Sequence, residues 1–320
     1  MKPAFSIVFF TVVSGAALGV LALVGFVALF DLPWLSAAMR PAAGGLGVAL
    51  ALAGLASSAL HLANPRNAWR AYSRFRTSWL SREAVFSIAL LGAAVVLVAL
   101  LWREVEGPLR SVFALLTIVL AWIVVVCTAM IYGSLKPIRQ WHTRWTPVVY
   151  FVLGHWSGAL IAIAVAVGYG GEPVSWAWLA AGLGVAALLV KLGYWHHGAA
   201  DRGGKSALTL EQAIGVPQGV RPPGVSVAQA RLFDAGHTQR TFLTDEFVFR
   251  IARQHAQALR GAALALGFGI PLIWLATGPR HWAAAASVAV LAIVGLLAER
   301  WLFFSDARHT VRLYHGDART

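Results

Sequence analysis

A histidine and a glutamate 22 residues apart, His61 and Glu83, bracket a loop carrying Arg66, Arg70, Arg74, Arg76 and Arg82. Both stand where long apolar runs end or begin. A histidine that titrates near pH 6.5 can exchange a proton with a quinol hydroxyl at neutral pH, and a nearby carboxylate can relay that proton to water. The same block also reads as an ordinary basic loop between two membrane helices, with Asn64-Pro65 as its turn. His155, well inside another apolar run between Gly154 and Trp156-Ser157, reads as a core histidine bonded to a neighbouring helix. Haem ligation would want histidines at matched depths on two helices, and His61, His155, His196 and His197 offer no clear second pair. With one cysteine, Cys127, and no CxxC or HxxxH spacing, neither an iron–sulfur cluster nor a structural zinc is expected here.

The elements that must position these residues are membrane helices. The protein has 320 residues, 59% of them hydrophobic and 12% charged, with a mean hydropathy of +0.70. A water-soluble globule, a disordered polypeptide and a disulfide-stapled domain all fail on this composition. About 20 apolar residues cross a bilayer, and eight stretches qualify: Phe5–Phe30, Gly44–Leu62, Ala84–Trp102, Ser111–Tyr132, Pro147–Tyr169, Val174–Leu192, Ala262–Thr277 and Ala283–Phe304. The first is too long for a signal peptide and is read as retained. The seventh is interrupted by Pro271.

If successive loops alternate sides, 22 of the 26 Lys and Arg residues fall on the amino-terminal face, leaving Arg40, Arg103, Arg110 and Arg280 opposite. The positive-inside rule then makes both termini cytoplasmic and the protein a multi-pass component of a bacterial inner membrane. The +13 net charge follows from that face without nucleic acid as a partner. Trp34, Trp102, Trp145, Trp195, Trp282 and Trp301 sit at span ends, as an interfacial aromatic belt requires. The polar stretch between Trp195 and Arg260 should be loop in its first half. Its second half, Thr244–Arg260, has the spacing of an interfacial helix leading into the seventh span. All thirteen Asp and Glu residues lie in loops or within about a turn of a span end on this reading, which counts against an ion-coupled carrier.

Three blocks carry a resemblance: LHLANPRNAWRA with RTSWLSRE, IYGSLKPIRQWHT after the fourth span, and LTDEFVFRIARQHAQALR before the seventh. In these the sequence resembles the dimethyl sulfoxide reductase membrane-anchor family, whose eight-helix members are more loosely related to polysulfide-reductase anchors. The RTSWLSRE form and the opening MKPAFSIVFFTVVSGA look more like the anchors of sulfite dehydrogenases. The resemblance implies that His61 and Glu83 belong to a quinone site (menaquinone or ubiquinone), with Arg76, Ser78, Tyr132 and Lys136 as further candidate contacts on the same face. Trp79 and Arg82 replace the family's small or polar run before the glutamate.

It implies as partners an iron–sulfur electron-transfer subunit and a molybdopterin catalytic subunit. Arg66, Arg70, Trp79, Arg139 and Trp141 are the candidate docking residues. The expected architecture is an all-α integral membrane protein, one anchor domain over residues 1–320 forming an eight-helix bundle with cytoplasmic termini. A haem b-bearing respiratory anchor and a small-molecule permease are the competing readings.

Overall fold

The structure is a computed structural model in which residues 3–60, 65–171, 174–203, 255–277 and 281–310 are described. These residues are helical or lie in turns, with no strand among them. Eight helices are long and apolar enough to cross a membrane: α1 (Phe5–Phe30), α2 (Met39–Ala59), α3 (Trp79–Trp102), α4 (Pro108–Gly133), α5 (Trp145–Gly168), α6 (Val174–Gly203), α7 (Ala256–Thr277) and α8 (Trp282–Ser305).

Helix α1 is the axis of the bundle, buried along most of its length and packed against α2, α4, α5 and α8. Its approach to α5 is set by glycine. A Cβ at Gly19 would stand 2.2 Å from the Gly154 carbonyl oxygen, and one at Gly158 would stand 2.5 Å from the Gly19 carbonyl carbon. Small residues let two backbones touch where lipid supplies no hydrophobic drive between helices.

Helix ends agree on two faces. On one, Ser57 donates to the Ser6 carbonyl at 3.0 Å, the Thr310 N–H donates to the Pro137 carbonyl at 3.0 Å, and Trp141 Nε1 donates to the Phe303 carbonyl at 2.9 Å. The start of α1, the end of α2, the α4–α5 turn and the end of α8 therefore share one end of the bundle, the basic one. At the other end Asp31 closes α1 in a left-handed conformation (φ 49°) and accepts from Arg110 at 2.8 Å and Arg40 at 3.1 Å, tying α1 to the starts of α4 and α2.

Pro271 does not break α7. Proline has no N–H, so the Gly267 carbonyl four residues earlier loses its helical donor. The backbone absorbs this in a π-turn over Ala265–Gly269, and the buried Trp156 indole of α5 donates to the Gly267 carbonyl at 2.9 Å. Trp156→Phe removes that donor from a buried carbonyl. It is expected to lower stability by about 1–3 kcal/mol, read as a fall in the thermal midpoint of the purified protein.

The boundaries differ from the sequence expectation in ways that matter for the site. Ser78, extended at φ −117° and ψ 125°, caps α3 by accepting the Ser81 N–H at 3.4 Å, so the helix starts at Trp79 and takes Glu83 inside. Helix α6 continues to Gly203 instead of ending near Leu192, and Lys191 lies within it. Glu299 and Arg300 lie inside α8, more than a turn before its end at Ser305. The reading that kept every acidic residue at a span end is therefore corrected by Glu299. Lys191 and Arg300, counted with the loops, are helix-interior and buried. The interfacial stretch Thr244–Arg260 lies mostly outside the described residues; its last part is continuous with α7.

Candidate functional site

Glu83, 4% exposed, projects from the first turns of α3 into the space between α1, α2, α3 and α4. Its partner is the Thr128 hydroxyl on α4, which also lies 3.0 Å from the Val124 carbonyl. A hydroxyl has one hydrogen. Thr128 either donates it to an ionised Glu83, or donates to Val124 and accepts from a protonated Glu83. The pair therefore has a hydrogen-bonded arrangement for each protonation state of the acid, as a proton-exchanging group inside a membrane needs.

A cavity of about 20 Å³ opens beside Glu83, lined also by Ser14, Leu55, Ser87, Leu91 and Thr128. That holds one water, not a ring. Leu55 and Leu91, both half-buried, line it from α2 and α3. A much larger cleft, about 510 Å³, runs over α1 between α2, α5 and α8, with Phe9, Leu50, Ile161 and Val290 among its lining. Its lining residues are all apolar, so it suits a lipid tail and offers no group that exchanges a proton.

The loop before α3 is stapled to it by Arg82. Its Nε donates to the Phe75 carbonyl at 3.0 Å, Nη2 donates to the Arg76 carbonyl at 2.8 Å, and the guanidinium stands 4.4 Å from the Trp79 ring. Trp79 and Arg82 thus fold together over the helix start. Upstream, a 3₁₀ segment over Pro65–Arg74 exposes Arg66, Arg70 and Trp69, the last at 64%, with Arg70 set 5.7 Å from the Trp69 ring. Arg76 is exposed, and Trp79 is half-buried.

The remaining candidates divide. His61 lies outside the described residues. Ser78 serves as the α3 cap. Tyr132 stands one helical turn beyond Thr128 and packs in an aromatic cluster, stacked on Tyr150 at 5.9 Å and edge-on to Phe304 at 5.1 Å. Lys136 is exposed in the α4–α5 turn, and Arg139 is half-buried there. Trp141 is corrected: it is 3% exposed, stacked on Phe303 at 5.5 Å and bonded to that residue's carbonyl, so its ring belongs to the core and presents no docking surface.

His155 is half-buried and bonded to a neighbouring helix. Nε2 accepts from Trp122 Nε1 at 3.0 Å and Nδ1 lies 2.8 Å from the Phe151 carbonyl, a pattern that needs the proton on Nδ1 and leaves neither nitrogen open. Among the described residues no three of His, Cys, Asp or Glu converge as a metal site. Thr128 escaped sequence reasoning because it stands 45 residues from Glu83 with no local pattern joining them. The Lys191–Glu299–Arg300 group escaped it too, although lone charges inside LLVKLGYW and LLAERWLFF were a visible signal.

Among the described residues, eight helices long and apolar enough to cross a membrane, with a buried carboxyl held between them, define a multi-pass membrane protein. The model of the DMSO reductase anchor subunit (DmsC) family matches residues 1–305, and the protein belongs to that family. It is therefore a membrane anchor of an oxidoreductase complex. It is 32% identical to the C subunit of the sulfite dehydrogenase of Allochromatium vinosum over 340 residues, covering 98% of this sequence and 99% of that one. It is 28% identical to the C component of the anaerobic dimethyl sulfoxide reductase of Escherichia coli over 109 residues, 34% of this sequence and 38% of that one. No solved structure matches it.

Proposed function

We propose that this anchor exchanges electrons and protons between a membrane quinone and an iron–sulfur subunit that serves a molybdopterin catalytic subunit, with its basic end on the cytoplasmic side of a bacterial inner membrane. The observation that carries this reading is Glu83: a buried carboxyl with a hydroxyl partner suited to both its protonation states, beside a cavity lined from α2 and α3. The donor chemistry fits a quinone or quinol oxygen. The present cavity admits only a water-sized group, so the head group belongs at its edge between α2 and α3; His61 follows α2 in the sequence. Quinone supplies the two-electron, two-proton couple. His61 holds or releases a proton at the head-group oxygen, Glu83 passes it inward, and Thr128 re-orients its hydroxyl as Glu83 changes state.

His61→Arg keeps a polar residue at the end of α2 but fixes its charge, removing the proton switch. The complex is expected to assemble normally, to lose most quinone-linked turnover, and to keep dye-linked turnover on the partner subunit. Full quinone turnover in this variant would move the site elsewhere.

The exposed Arg66, Trp69, Arg70 and Arg76 suit docking of the partner, since arginine and tryptophan dominate interface energetics. Charge reversal at Arg70 or Arg76 is expected to slow association and lower complex yield, more so at low salt. Unchanged yield and turnover would leave these arginines with topology alone.

A further inference from the structure

Lys191 on α6 and Glu299 on α8 form an ion pair in which both residues are 0% exposed. Arg300 adds a second cation at 3% exposure. Its Nη2 lies 3.6 Å from Glu299 and its guanidinium stands 3.9 Å from the Tyr150 ring, while Lys191 Nζ lies 4.3 Å from the Tyr194 ring. Burying such ions costs several kcal/mol each, and apolar residues of similar volume would join two helices as well or better. An ionisable group inside a membrane helix is retained for function by default.

The position of the cluster says which function. The cavity beside Glu83 meets α1 at Phe10, Ser14 and Leu18; a second cavity, of about 10 Å³, meets α1 at Thr11, Val12 and Gly15 and is lined on its far side by Tyr150, Glu299 and Arg300. The two acids thus flank one stretch of α1, each with a hydroxyl of that helix lining its cavity. The two sites also meet by packing around α4 and α5: Thr128, which bonds Glu83, is followed one turn on by Tyr132, whose ring stacks on Tyr150, over which Arg300 lies. Beyond Tyr194, whose ring stands 4.3 Å from Lys191 Nζ, a cavity of about 30 Å³ lined by Gln140, Tyr194, Trp195 and Asp306 lies at the basic end of α8.

We propose that the Lys191–Glu299 pair is a proton relay between the quinone pocket and water at the basic end of the bundle; the inference rests on the reading of Glu83 as the quinone's proton partner. Oxidation of one quinol to a quinone releases two electrons and two protons. The electrons pass to the iron–sulfur partner, and protons leave Glu83 for Glu299, whose carboxylate becomes a carboxylic acid. Glu299 then returns each proton to water near Asp306. Lys191 and Arg300 keep their charges, holding the acid in place and favouring its return to carboxylate. Quinone reduction runs the same steps backwards.

The test uses the intact complex. The double variant Lys191→Met with Glu299→Leu removes the pair together and leaves Arg300 over the Tyr150 ring, and Glu299→Gln is the isosteric variant that keeps both cations. Quinone-linked turnover in the double variant is expected to fall roughly a hundredfold, the lower range for a lost acid–base group. Dye-linked turnover and complex yield should hold, and a small weak acid such as azide should restore part of the loss. Independently of turnover, infrared spectra of the complex across a pH series should contain a protonated-carboxyl band that Glu299→Gln removes. Full quinone turnover in the double variant, absence of that band, or failure of the double variant to accumulate would each overturn the relay and assign the pair to architecture. Glu83→Gln separates the two levels: if it too keeps full turnover, the quinone-site reading itself fails.

Discussion

Gly158→Leu is expected to abolish accumulation of the folded protein in the membrane. Even a single Cβ at this position would stand 2.5 Å from the Gly19 carbonyl carbon and the Val20 nitrogen, backbone atoms of the central helix that cannot rotate away. Helix α1 lines both cavities and touches α2, α4, α5 and α8, so displacing it from α5 disturbs the packing around Glu83 and Glu299. Overpacking in a close-packed interior typically costs about 1–3 kcal/mol, and a leucine side chain against backbone exceeds that. Gly92→Leu and Gly45→Leu are the matched controls, because a Cβ at either meets nothing within 4 Å. The measurement is the yield of extracted, monodisperse protein. Near-normal yield of Gly158→Leu would show that α1 and α5 do not approach this closely.

The second large effect is expected at Glu83. Glutamine matches the volume of glutamate and keeps an oxygen to accept from Thr128, so Glu83→Gln should fold and assemble as the parent does. What it loses is the proton. General acid–base groups contribute about 10²–10⁴-fold, and quinone-linked turnover is expected to fall by that order, with dye-linked turnover unchanged. Thr128→Val should fall less. It leaves Glu83 able to titrate but strips the hydroxyl that suits both its states, and the buried carboxyl loses its partner.

Much of the architecture was legible because hydropathy in lipid is a strong signal: apolar runs of about 20 residues have few alternatives to a spanning helix. Helix ends were less so. The α3 start was placed at Ala84 because apolarity begins there, whereas the backbone is governed by the Ser78 cap, which brings Glu83 one turn inside. The apolar runs Val174–Leu192 and Ala283–Phe304 enclosed Lys191, Glu299 and Arg300, yet all three were read as lying at the water's edge because a charge is costly in lipid. The pairing that offsets that cost joins α6 to α8 and has no trace in local spacing. Trp141 read as an interface anchor for want of its partner, the Phe303 carbonyl 162 residues away. The Glu83–Thr128 bond, joining α3 to α4, likewise has no trace in local spacing. Glu83 was singled out through its motif; the hydroxyl that holds it, on another helix, appeared only in three dimensions.

The central claim is that quinone meets this protein between α2 and α3, beside Glu83. A photoreactive quinone analogue, irradiated with the intact complex and mapped by peptide analysis, tests it most directly. The account predicts labelling on the end of α2 and on α3, around Leu55 and Leu91, competed away by excess quinone and weakened in Glu83→Gln. Competable labelling confined to the apolar cleft around Phe9, Leu50, Ile161 and Val290, unaffected by Glu83→Gln, would contradict it.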